Sequence, residues 1–175
     1  MLETEPLGLF KYFFPLLFSS LLFAQTFPDK KVDTFLKEGV NYLLIQKYDK
    51  ADSVFQVLEN EFPDLPFGKI YRAANSIAKS LDYGQEFKHD FVRKNLEDAV
   101  DLSENKLDED ENNIWNNYFM ALSKGYLAYY LAMEKEYVDA FSEGFYSISF
   151  FDRCEKMNPD FYESQIATAT FLSAQ

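Results

Sequence analysis

From Val32 onward, apolar residues recur every three or four positions, the period of a helix with one buried face. Val32, Phe35, Leu36, Gly39, Val40, Leu43 and Leu44 share one broad face, and Asp29 or Asp33 suits the helix start as a cap. Asp49 or Asp52 opens a second helix through Ala51, Val54, Phe55, Leu58 and Phe62, which Pro63 and Pro66 end. A third helix is predicted from about Lys69 to Leu81, with Ile70, Ala73, Ala74, Ile77, Ala78 and Leu81 inward, broken by Asp82-Tyr83-Gly84. A fourth, roughly Asp90 to Lys106, uses Phe91, Leu96, Ala99, Val100 and Leu107. A solvated acidic loop follows at 107–113.

The fifth helix, Ile114 to Met133, is long and aromatic, with Trp115, Tyr118, Phe119, Tyr126, Tyr129 and Tyr130. The sixth, Tyr137 to Lys156, presents Ala140, Phe141, Gly144, Phe145, Ile148, Phe151 and Cys154 inward and stops at Asn158-Pro159. A seventh begins near Asp160 and runs on to Gln175. No stretch has the alternation of a strand. The pattern predicts an all-α chain of about six to seven antiparallel helices.

Residues 1–24 follow a different rule. Tyr12 to Ala24 is an uncharged apolar run preceded by Lys11. At about 13 residues it fits a secretory signal and is short for a membrane span. The expected division is a signal peptide at 1–24, a short linker at 25–31 and a helical domain at 32–175. An uncleaved anchor and a buried helix are the alternatives for the first segment. Cleavage implies an exported protein, in a periplasm or outer envelope, with no stable membrane span left.

Composition narrows the function. Against 29 Asp+Glu stand 17 Lys+Arg, for a net charge of −12. That balance opposes nucleic acid or an anionic membrane as the main partner. One Cys forms no internal disulfide, and one His builds no His-rich metal site. With 19 Phe, 12 Tyr and 1 Trp, the apolar content excludes a disordered acidic tail.

The helices also repeat. Gly39-x2-Tyr42, Ala51-x3-Phe55, Leu58 and Pro63 follow one another at fixed spacing. This resembles a tetratricopeptide (TPR) repeat, with Phe35 in the place of the usual Trp and Glu38 departing from the usual Leu. Adding 96 carries Ala51, Phe55, Leu58 and Pro63 onto Ser147, Phe151, Cys154 and Pro159. Gly125, Tyr137-x2-Ala140, Gly144 and Asn-Pro-Asp-Phe at 158–161 are similar to divergent TPR-like proteins of bacterial envelopes. The resemblance implies a stack of helical hairpins that binds proteins and carries no catalytic residues. It also implies that the first helix of each pair lines a groove. On that analogy Asp33, Leu36, Val40, Leu43 and Leu44 are partner-facing candidates, the apolar four being equally suited to the core. Repeat stacks need a polar terminal cap. The apolar last helix, with Phe161, Tyr162, Ile166, Phe171 and Leu172, therefore anticipates a longer natural chain, or else a partner or self-association at this face.

Candidate chemistry is thin. His89 lies between Lys88 and Asp90 with no convergent partners, and reads as a surface or capping residue. Cys154 aligns with Leu58 and reads as a small buried residue. The run Asp108–Glu111 lacks the central Gly and alternating ligands of a calcium loop. Glu134 with Glu136, or Asp152 with Glu155, are carboxylate pairs of a kind common in acidic helices. No phosphate loop or nucleophile elbow is present, and no cofactor or metal is expected. The one feature with functional colour is the stripe Tyr118, Tyr126, Tyr129 and Tyr130, whose rings either fill gaps between hairpins or form an exposed binding face.

The expectation is thus a non-catalytic, exported scaffold that binds a protein or peptide, with acidic rims favouring a basic partner. The alternatives are the helical portion of a longer envelope enzyme or transport component, and a carrier of a small apolar or sugar ligand on the Tyr-rich helix.

Overall fold

The computed structural model describes residues 27–86 and 88–161. The signal segment and the seventh helix of the sequence reading lie outside these residues. Within them the chain forms six helices and no strand. They are α1 (Lys30–Leu44), α2 (Tyr48–Glu61), α3 (Phe67–Tyr83), α4 (His89–Glu109), α5 (Ile114–Met133) and α6 (Tyr137–Met157).

Local chemistry sets the ends. The Asp29 carboxylate accepts from the backbone N–H of Lys31 and Val32 and caps α1. A three-residue turn joins α1 to α2, with Gln46 in the left-handed region at φ 58. Backbone bonds from Gln46 to Leu43 and from Lys47 to Tyr42 close it. The turn from α5 to α6 is built alike. Lys135 has φ 66, and Lys135 and Glu136 donate to Ala132 and Leu131. Gly84 ends α3 at φ 61, where a side chain would be strained, and the Gln85 N–H reaches back to the Ser80 carbonyl.

Two boundaries and one buried position differ from the sequence reading. α2 starts at Tyr48, directly before Asp49 and one turn before Asp52, and neither acid caps it. α4 runs on to Glu109, so the acidic loop shrinks to Asp110–Asn113. There Asn116 Nδ2 donates to the carbonyls of Lys106 and Asp110, and Asn117 Nδ2 to those of Glu111 and Asn113. These bonds hold the acidic turn by its backbone and leave its carboxylates in water. Leu81, expected inward, is half exposed because it sits in the last turn of α3, where the chain leaves the stack.

Each helix packs against the next, and α3 also touches α5. α3 and α5 therefore lie side by side against α4. Small residues set the spacing. Gly39 lies against the Phe55 ring, and a Cβ there would come within 2.3 Å of it. Phe55 in turn stacks on Tyr71, with centroids 5.2 Å apart. Phe27 wedges its ring among Phe67, Trp115 and Phe119, joining α3 to α5.

Charged clasps join neighbouring helices. Lys69 of α3 lies 3.0 Å from Glu59 of α2 and 3.2 Å from Asp98 of α4. Arg72 of α3 binds Asp52 and Glu59 of α2. Lys124 of α5 lies 2.9 Å from Glu143 of α6 and 3.7 Å from Glu104 of α4. Lys69 and Lys124 each set a cation of an odd-numbered helix between acids of its two even-numbered neighbours, whereas both acids that Arg72 meets lie on α2. Burial raises the Glu59 carboxyl, but bonds from Arg72 and Lys69 outweigh it and hold the group below its ordinary range.

Candidate interaction surface

α5 is the centre of the stack. It lies between α4 and α6 and touches α3, so residues on nearly every face from Asn116 to Leu131 are buried. This settles the Tyr stripe. Tyr118, Tyr126, Tyr129 and Tyr130 are all at most 7% exposed. Tyr118 packs edge-on against Trp115, Phe151 and Phe161, and Tyr126 edge-on against Tyr71. Tyr130 lies under the Arg93 guanidinium at 5.3 Å. Burial pushes the Tyr129 hydroxyl up to about 12 and that of Tyr126 higher still. The rings fill the gaps between hairpins, and the alternative of an exposed binding face on α5 is corrected. Helical spacing and residue type are the same for a ring in a gap and a ring in a groove. Only the third neighbour decides.

The groove assigned to α1 fares alike. Leu36, Val40 and Leu43 belong to the continuous core, so they are not free to face a partner. Asp33 is half-buried and paired with Lys37 at 2.6 Å. Leu44 is exposed at the helix end. The repeat-defining residues Gly39, Ala51, Phe55 and Leu58 sit where α1, α2 and α3 meet, with Tyr42 half-buried beside them and Pro63 just beyond α2. His89 Nδ1 is 2.9 Å from Glu134, which ties the start of α4 to the turn before α6. Cys154 is fully buried with Sγ 3.6 Å from the Ile114 carbonyl, and burial pushes its thiol up to about 12.

Among the described residues, the four most exposed large apolar side chains lie on α6. Its buried stripe is Ala140, Ser147 and Cys154, small residues seven apart that face α5. Ser147 Oγ donates to the Ala121 carbonyl at 2.7 Å. Phe141 and Phe145, expected inward, point the other way and are 77% and 64% exposed. Val138 is 83% exposed, Tyr137 57% and Tyr146 52%. At about 200 Å² for a free aromatic side chain, these five residues leave roughly 600 Å² of apolar surface, the upper end of what a monomer leaves open. Hydrophobicity alone marked Phe141 and Phe145 as core. The recurrence of small residues every seven positions is the better signal, because it marks where two helix backbones approach.

Compared with known proteins, the chain matches no family model, no curated protein and no solved structure.

Proposed function

We propose that the chain is a non-catalytic scaffold of a cell envelope, built on TPR-like hairpins, that binds another protein. The observation that carries this reading is the two-turn apolar patch of α6. Tyr137, Val138, Phe141 and Phe145 stand in solvent on a regular helix, at a net cost to solubility that a monomer gains nothing from. The packing of each helix against the next supports the repeat reading. Export rests on the pattern of residues 1–24, and no described helix is long and apolar enough to cross a membrane. The small-ligand alternative draws no support from the Tyr-rich helix, whose rings are packed.

The test is affinity capture from the source envelope with the intact chain and with a Phe141→Ser/Phe145→Ser variant. The expected result is a protein enriched by the first and lost by the second. No enrichment, or equal enrichment by both, refutes the reading at this surface.

A further inference from the structure

We draw no further inference here: the strongest candidate, the exposed apolar face of α6 formed by Tyr137, Val138, Phe141 and Phe145, is the surface on which the proposed function already rests, and nothing in the structure shows what covers it.

Discussion

Gly39→Ala and Gly144→Ala are the same chemical change on two helices, and the structure assigns them opposite signs. Each replaces a helical glycine by the best helix former, a gain of about 1 kcal/mol where the methyl fits. At Gly144 the new Cβ would lie 3.7 Å from the Ala128 Cβ, an ordinary contact. At Gly39 it would lie 2.3, 2.7 and 2.8 Å from three atoms of the Phe55 ring. That ring is fully buried and held by its stack on Tyr71, so it has little room to swing aside. Overpacking of this kind costs about 1–3 kcal/mol, and the depth of the overlap selects the upper end.

The expected outcomes are a loss of about 2 kcal/mol for Gly39→Ala and a gain of about 1 kcal/mol for Gly144→Ala. For a domain of this size, thermal unfolding should show a fall of about 4–8 °C and a rise of about 2–4 °C. Phe55→Leu supplies the control. In a double-mutant cycle it should remove at least about 1 kcal/mol of the Gly39→Ala cost, because the clash is with the ring alone. A Gly39→Ala protein that melts at or above the parent would refute the close approach of α1 and α2.

Three further outcomes follow from buried groups. Tyr126 Oη is buried with no hydrogen-bond partner among the described residues, so Tyr126→Phe should leave stability unchanged or raise it by about 1 kcal/mol in denaturant titration. A loss above that size would reveal a bond to the hydroxyl. Glu59 and Asp98 are held below their ordinary values, so their stabilisation is complete above the unfolded pKa and disappears as pH falls through the lower folded one. Glu59→Gln should cost about 1 kcal/mol at pH 7 and flatten the loss of melting temperature below about pH 4.5; an unchanged slope would exclude Glu59 from the clasp. Cys154 should react with a thiol reagent at pH 8 about a thousandfold more slowly in the native chain than in denaturant, and rapid native labelling would contradict its burial against Ile114.

Much of the architecture was legible in the sequence because caps and breakers are local. Asp29, Pro63, Gly84 and Asn158-Pro159 each act within a turn, and the limits of α5 follow from Asn113 and the end of its apolar run. The surface was harder to read. A helix sandwiched on several sides and a helix that offers one face to a partner both look aromatic and amphipathic. Tyr126 and Phe141 differ in the number of helices around them, and no single segment encodes that number. The clasps were illegible for a related reason. Lys69 meets Glu59 and Asp98 across two helix boundaries, whereas charge patterning along one helix reveals only pairs such as Lys94 with Asp98.

Counted from their matching turn residues Gln46 and Lys135, the acids Asp49, Asp52 and Glu59 of α2 correspond to Val138, Phe141 and Ile148 of α6, and this exchange bears on how the stack assembles in order. Two hairpins with the same turn and similar small-residue contacts could in principle accept one another's neighbours. α3 offers Lys79, Arg72 and Lys69 to Asp49, Asp52 and Glu59. Laid on α6 in the same register, those three cations would cover Val138, Phe141 and Ile148 instead. Burying a cation without its partner costs several kcal/mol, far more than the half-exposed ion pairs of α2 contribute when made. The acids on α2 therefore matter less for the stability they add than for the wrong neighbour they exclude.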